Sequence, residues 1–272
     1  MNRDCFRRWT TPNCRLPNDV TDQRQRPMKT TQLPSRIFLT ALSCELILVA
    51  LYWLDIATGY SFQLLHGLFD LDSEGNIPAW FSSSQLFAVA ISYFSCARRK
   101  GTESRPSRVL FILAGIAALY VSSDETAQIH ERVHAVIGAR YIDWVPPFIV
   151  QNFFFVMVFV AVLVSIGQVL SKDLLSLWTH HRRIVILTFV GVAIGLTGGM
   201  VVESIGYQIP PTHPILYRVE VTVEEFMEMF GGSVILLAAL QLRRRLGIQR
   251  LTTLRQPRLP RVSTAPEYRA VS

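Results

Sequence analysis

Four glutamates lie close together at the start of the last apolar segment of the chain: Glu220, Glu224, Glu225 and Glu228. Glu228 lies well inside that segment, where a carboxylate usually faces the interior of a helix bundle and has a partner. On a helix, Glu220, Glu224 and Glu228 fall within about 80° of one another, because each four-residue step turns by about 40°. Carboxylates on one stripe repel one another unless cations or shared protons lie between them. The spacing therefore predicts a cation-binding stripe.

A second polar stripe, SSDETAQIHERVH, covers positions 122–134. If the helix continues through it, Asp124, Gln128 and Glu131 share one face, and His134 lies about 60° beyond Glu131. Glu131 and His134 form a Glu-x-x-His pair, the spacing that directs a carboxylate and an imidazole at one metal in di-iron and di-manganese bundles. His130 and His134, at i and i+4, also suit a shared metal. The second Glu-x-x-His copy of such bundles is missing here.

Helical rise puts these groups at a similar depth. Counted at 1.5 Å per residue from the cytoplasmic ends, Asp124, Glu203 and Glu228 reach about 24, 30 and 22 Å. The predicted metal ligands are Asp124, Glu131, His134, Glu203, Glu224 and Glu228. Further candidates around them are Glu125, His130, Glu220 and Glu225. Mixed carboxylate and imidazole ligands favour Fe, Mn or Zn as the cofactor.

Structural interpretations of both stripes stay open. Glu228 also suits a single structural glutamate that is protonated or hydrogen-bonded between helices. The 122–134 stripe also suits a solvated extension of a helix, in which Arg132 pairs with Glu125 or Glu131.

The segment FDLDSEGNIP carries acidic residues at alternating positions, Asp70, Asp72 and Glu74, followed by Gly75. It matches the first eight positions of a calcium loop, but position 12, which should be a bidentate Glu, is Phe81. We therefore expect an acidic loop that caps the outer site, with calcium binding as the alternative. The following Ser-Ser-Ser-Gln run predicts a polar lining at the same level.

Composition indicates the class of protein that positions these residues. Of the 272 residues, 50% are hydrophobic and 17% charged, and the mean hydropathy is +0.30. Soluble domains carry about 25% charged residues. Six apolar segments are long enough to cross a bilayer as helices: 37–55, 79–97, 108–127, 147–170, 183–206 and 216–242. The expected fold is an all-α, polytopic membrane helix bundle with six transmembrane helices.

Basic residues indicate the orientation. Of 27 Lys and Arg residues, all but Arg132, Arg140 and Arg218 lie in the N-terminal tail, the 98–108 loop, the 172–183 loop or the C-terminal tail. The positive-inside rule then predicts that both termini are cytoplasmic. We expect residues 1–36 to form a disordered basic tail, residues 37–242 a transmembrane domain, and residues 243–272 a second basic tail.

Neither tail carries a folded reader of nucleic acid, so a nucleic-acid partner is not expected. Cys5, Cys14, Cys44 and Cys96 do not form a disulfide framework. Met1 and Met28 both remain candidate starts. Gly191, Gly195 and Gly199, spaced at four residues, predict a close approach between the fifth and sixth apolar helices, which would bring Glu203 toward Glu224 and Glu228.

The segments FDLDSEGNIPAWFSS and VSSDETAQIHE resemble those of a group of uncharacterised bacterial polytopic membrane proteins, with FDLDxExNIPxWFSS-like and DExxxIHE-like segments. The resemblance covers residues 37–242. It implies a multi-pass topology in a bacterial cytoplasmic (inner) membrane, and no activity.

Three functions remain open at this stage. The first is a membrane protein with an outer-face site for one or two divalent metals, which as an enzyme would act on a hydrophobic or lipid substrate. The second is a cation- or proton-coupled transporter, in which carboxylates within the membrane couple the transport. The third is a structural membrane protein without catalytic activity. No residue is assigned a catalytic role, and the sequence does not indicate the oligomeric state.

Overall fold

The computed structural model describes residues 32–99, 106–129, 132, 164–165 and 167–255. In this part of the chain every regular element is a helix. The elements are α1 (Leu33–Ala57), α2 (Gln63–Phe69), α3 (Ile77–Arg99), α4 (Arg108–Ala127), α5 (Ser171–Leu196), a π-helical segment (Thr197–Val202), α6 (Glu203–Gly206) and α7 (Pro214–Arg255).

Three stretches are long and apolar enough to cross a membrane: α1, α4, and α5 continued through α6 as Ser171–Gly206. Large apolar side chains such as Leu46, Phe87 and Phe189 are exposed along the helices. Water would disfavour so much exposed apolar surface, whereas lipid suits it. The chain is therefore a helical membrane protein.

Glycines allow α5 and α7 to pack with their backbones in contact. A Cβ atom added at Gly191 would lie 2.8 Å from the carbonyl oxygen of Gly231, and one added at Gly231 would lie 2.7 Å from the carbonyl oxygen of Gly191. Only residues without a side chain fit such a contact. The predicted close approach of these two helices is confirmed.

Two buried clusters hold the helices together. Helices α3, α4, α5 and α7 share a cluster centred on Phe111, Ile184 and Leu242. In the second cluster, Tyr52 of α1 and Leu71 pack against Met229 of α7. Between α3 and α4, the Ser83 and Ser122 hydroxyls donate to each other's backbone carbonyls at 2.6 and 2.8 Å.

The predicted apolar segments agree with the helices wherever the chain is described. Five of the six lie within α1, α3, α4, α5–α6 and α7, and the fourth, 147–170, lies largely outside the described residues. In the Ser-Ser-Ser-Gln run that follows Phe81, Ser82 and Gln85 are buried on α3.

Two predicted helix ends are wrong. The 172–183 segment was expected to be a loop, yet α5 begins at Ser171 and continues through it, with a kink at His181 (φ −138°, ψ 35°). The C-terminal tail was expected from residue 243, yet α7 continues to Arg255. Hydropathy falls where the charged residues begin, but Lys, Arg, Gln and Leu are good helix formers. The helical backbone hydrogen bonds therefore continue beyond the apolar segment. The helix then ends just before Pro257, which disfavours helical backbone in the preceding residue.

The expectation that the helix continues through the 122–134 stripe is also wrong. Helix α4 ends at Ala127, and Gln128 adopts the left-handed conformation (φ 50°, ψ 44°), with its N–H donating to the Asp124 carbonyl at 2.8 Å. This is a common way to end a helix. The facing relationship derived for Asp124 and Glu131 on one continuous helix therefore does not hold.

Candidate functional site

The acidic residues of α7 lie against α5, the π-helical segment and α6. Glu220 is 7% exposed, and Glu224, Glu225 and Glu228 are half-buried. A Cβ atom added at Gly206 would collide with the Glu220 carboxylate, and one added at Gly199 would collide with the Glu228 carboxylate. These two glycines therefore provide the space that the two carboxylates occupy.

The π-helical segment, Thr197–Val202, lies at this contact. A Cβ atom added at Gly198 would lie 2.9 Å from the Glu224 carbonyl oxygen and 3.2 Å from Cγ of Glu228. Extra residues in one helical turn change the direction of the following side chains, and such turns occur frequently at functional sites. Glu203 follows directly, at the first position of α6.

Carboxylates from four elements interact electrostatically at this site. Glu203 of α6 acts on Glu220, Glu224 and Glu228. Glu125 of α4 acts on Glu225 and Glu228. The predicted convergence of these carboxylates on one cation stays a prediction.

The acidic loop contributes the fourth set of charges. Asp72 acts on Glu220, Glu224 and Glu225, and Glu74 acts on Glu225. The Tyr217 hydroxyl donates to Asp72 Oδ1 at 2.8 Å, which ties the loop to α7. Partial desolvation raises the pKa of Asp72, whereas the Tyr217 hydrogen bond lowers this pKa. The hydrogen bond from Tyr217 therefore joins this loop to the helix that carries Glu220, Glu224, Glu225 and Glu228.

Glu220 and Glu224 lie four residues apart on α7, and their carboxyl groups interact electrostatically. Like charges at this spacing repel each other unless a proton or a cation lies between them. We call the group formed by Glu125, Glu203, Glu220, Glu224, Glu225 and Glu228 the acidic cluster.

The predicted metal ligands fall into three groups. Glu203, Glu224 and Glu228 belong to the acidic cluster, and three of the four further candidates, Glu125, Glu220 and Glu225, join them. Asp124, next to Glu125, interacts with Tyr120 on its own helix. Glu131, His134 and His130 lie outside the described residues. Within the described ranges, no three Asp, Glu, His or Cys side chains surround one point at metal-binding distances.

A buried polar network, not assigned from the sequence, joins three helices. The Gln85 Nε2 group on α3 donates to Glu45 Oε1 on α1 at 2.9 Å and to Ser233 Oγ on α7 at 2.8 Å. The Ser233 hydroxyl donates to the same oxygen of Glu45 at 2.6 Å. Glu45 is completely buried. Its position in the middle of an apolar segment was the available signal, because such glutamates usually have a functional or structural partner.

A second polar site that the sequence analysis missed lies at the C-terminal end of α1. Asp55, 2% exposed, accepts a hydrogen bond from Nδ1 of His66 at 3.0 Å. The Arg218 guanidinium lies 5.0 Å from the centre of the Tyr60 ring. The chain reversal at Gly59 and Tyr60 creates these contacts, and no spacing rule relates positions 55, 66 and 218.

Comparison with known proteins gives one match. The model of a family described as a domain of unknown function, DUF8692, matches residues 38–243, so the chain belongs to this family. No curated protein and no solved structure matches the chain.

Proposed function

We propose that this member of a family of unknown function is an integral membrane protein that binds a divalent cation through its acidic cluster. The observation that carries the proposal is the packing of acidic side chains at one helix contact: the Glu228 carboxylate occupies the space at Gly199, the Glu220 carboxylate occupies the space at Gly206, and Glu203 lies between these two glycines in sequence. Two like charges about 5 Å apart repel by about 3 kcal/mol at an effective dielectric constant of about 20. A divalent cation would replace this repulsion by attraction.

The chemistry of the donors favours Fe, Mn or Zn. Glu131 and His134, which lie outside the described residues, would complete the carboxylate set with an imidazole. As an enzyme, the protein would act on a hydrophobic or lipid substrate, because the cluster lies between apolar helices. The bound metal would then supply either a Zn-activated water for hydrolysis or Fe for oxidation.

The proposal includes the predicted topology. Six transmembrane helices, with both termini in the cytoplasm of a bacterial cell, put the acidic cluster in the outer half of the cytoplasmic membrane. The asymmetry of Lys and Arg supports this orientation. Labelling of single cysteines introduced into the 98–108 loop and beside Asp72 tests it, since only the second position should react with an impermeant thiol reagent in intact cells.

The metal proposal is tested by metal analysis of purified protein. Wild-type protein is expected to contain about one or two Fe, Mn or Zn ions per protein chain. The Glu228→Gln, Glu131→Ala and His134→Ala variants should each lose most of it. Glu45→Gln is the matched control, since Glu45 is also buried but interacts with Gln85 and Ser233. Equal metal content in all five proteins would refute the proposal.

Proton-coupled transport is the second candidate, and the Glu45 network favours it. Ser233 follows Glu228 by five residues on α7, about 7.5 Å along the axis. Polar groups thus continue from the acidic cluster toward the middle of the bundle, and the partners of Glu45 are neutral, so a proton there breaks no ion pair. In vesicles, proton-driven uptake that Glu45→Gln abolishes, in protein without bound metal, would favour this function.

A further inference from the structure

A cleft of about 300 Å³ lies at the outer end of the bundle, separate from the space between α5 and α7. It is lined by Tyr52, Tyr60, His66, Asp70, Asp72, Pro214, Tyr217 and Arg218. We call it the outer pocket. Its volume is at the lower end of the range for ligand sites, which suits a small polar group.

One side of the outer pocket carries donors for an anion. The Arg218 guanidinium lines the pocket together with Tyr52, and it carries five N–H donors. Asp55 accepts from Nδ1 of His66, so Nε2 is the ring nitrogen left for a ligand. A guanidinium together with an imidazole is a common pair for binding phosphate oxygens.

Tyr60 holds its position at a conformational cost. Its φ of 58° lies in the left-handed region, which is unfavourable for a residue with a Cβ atom. The ring then packs at 4.9 Å from the His66 ring and 5.0 Å from the Arg218 guanidinium. Its hydroxyl is buried and has no hydrogen-bond partner within the described ranges. Strained residues of this kind concentrate at ligand sites, and a buried hydroxyl is a donor for a ligand oxygen.

The other side of the outer pocket carries acceptors. Asp70 and Asp72 line it, and Asp70 Oδ1 accepts from the Asp72 N–H at 3.2 Å, which fixes the two carboxylates beside each other. They would repel a simple anion, and Arg218 would repel a simple cation. A ligand with both charges avoids both conflicts. Carboxylates match a primary ammonium, which donates three hydrogen bonds. A trimethylammonium prefers an open aromatic face, but Arg218 covers that of Tyr60.

The surroundings of the outer pocket suit lipid. Helix α2, which contains His66, exposes Leu64 (75%), and the preceding Phe62 is 61% exposed. Short helices with exposed apolar side chains lie in the membrane interface. Asp55 is also about 28 Å from Arg36 along α1, which is the depth of the outer headgroups. Tyrosines, three of which line the pocket, are enriched at this depth.

We propose that the outer pocket binds a phosphoethanolamine group, with the phosphate on Arg218, His66 and Tyr60 and the ammonium on Asp70 and Asp72. The source is either a phospholipid headgroup or free phosphoethanolamine. The site is independent of metal in the acidic cluster, although Asp72 interacts with Glu220 and Glu224 and so brings the bound group close to that cluster.

The test is headgroup selectivity of the full-length protein in nanodiscs, measured as retained lipid by native mass spectrometry. Wild-type protein in equimolar phosphatidylethanolamine, phosphatidylcholine and phosphatidylglycerol should retain phosphatidylethanolamine preferentially. Arg218→Gln should lower the amount of retained phosphatidylethanolamine about tenfold, the factor that one charge-assisted hydrogen bond to the phosphate supplies. Tyr60→Phe keeps the ring and removes only the hydroxyl, so it should also lower the retention of lipid while the protein remains folded. Arg132→Gln, a change of an exposed arginine outside the pocket, is the matched control.

The remaining arms separate the possible ligands. If the protein shows no preference among the lipids, but millimolar free phosphoethanolamine displaces bound lipid in detergent, the ligand of the pocket is the soluble compound. Preferential retention of phosphatidylcholine or phosphatidylglycerol overturns the assignment of the ammonium to Asp70 and Asp72. Retention that is equal for all three lipids, and unaffected by Arg218→Gln and Tyr60→Phe, without competition by free phosphoethanolamine, overturns the proposal. Metal content is measured in parallel, and its loss or absence does not affect this result.

Discussion

The space that Gly199 provides for the Glu228 carboxylate gives the sharpest prediction. In Gly199→Ala the added methyl group would collide with Oε1 of Glu228 and lie 3.2 Å from its Cδ. The carboxylate is at the end of a flexible side chain, so it can turn away at a cost of about 0.5–1.5 kcal/mol for a displaced torsion. Replacing Gly by Ala in a helix returns about 0.5–1 kcal/mol. We therefore expect nearly unchanged stability and a metal affinity about 10–100-fold lower, as for displaced groups around metal sites.

Two neighbouring glycines serve as controls for Gly199→Ala. A Cβ atom at Gly195 meets nothing within 4 Å, so Gly195→Ala should preserve both stability and metal affinity. A Cβ atom at Gly198 would lie 2.9 Å from the backbone oxygen of Glu224, which cannot turn away. Gly198→Ala should therefore destabilise the protein by about 1–3 kcal/mol. The measurements are thermal unfolding in detergent and calorimetric titration with Mn²⁺. If Gly199→Ala binds Mn²⁺ like Gly195→Ala, Glu228 is not a ligand and the reasoning fails.

Three further predictions concern other parts of the bundle. Gly231→Val should destabilise the protein by several kcal/mol and broaden its thermal unfolding transition, because the valine side chain would displace Gly191 across the α5–α7 contact. Equal melting temperatures of the variant and the wild-type protein would contradict this contact. Glu45→Leu should cost about 1 kcal/mol more than Glu45→Gln in denaturant unfolding, since leucine leaves the Gln85 amide without its acceptor; an equal cost would show that the hydrogen bond is weak. The pKa of Asp72 in the folded protein is raised above 3.8, so protonation of Asp72 stabilises the fold below pH 3.8, and this stabilisation is lost as the pH rises through the folded pKa. Asp72→Asn should therefore reduce the pH dependence of stability in this range. An unchanged slope of the pH–stability curve would contradict the raised pKa.

The packing of the α7 glutamates against the glycines on either side of Glu203 could be predicted because it depends on local rules. A four-residue spacing puts Glu224 and Glu228 on one face, and regularly spaced glycines predict a close neighbour for that face. Helical rise then gives a similar depth for Glu203. None of these steps requires a loop conformation.

The contribution of α4 could not be predicted, because it depends on the conformation of a residue at the end of the helix. It depended on a helix continuing through Gln128, and a single left-handed residue ends that helix. Glutamine has no strong preference for this conformation, so the sequence offers little warning. In the structure it is Glu125, a further candidate in the sequence analysis, that interacts with Glu225 and Glu228.

The outer pocket was missed because its residues are distant in sequence and meet through irregular backbone. Asp55 and His66 contact each other only because the chain turns at Gly59 and Tyr60. A tyrosine in the left-handed region is not expected from propensity, and Arg218 joins from α7. One signal was available: Arg218 is one of three basic residues outside the segments assigned to the cytoplasm.

A double-mutant cycle of Glu203 and Glu228, measured as Mn²⁺ affinity of the purified protein, tests the central claim most directly. If the two carboxylates bind the same cation, the losses in Glu203→Gln and Glu228→Gln should not add, and the double variant should bind about as weakly as either single variant. Wild-type protein that binds no Mn²⁺, Fe²⁺ or Zn²⁺, or losses that add fully in the double variant, would contradict a shared cation.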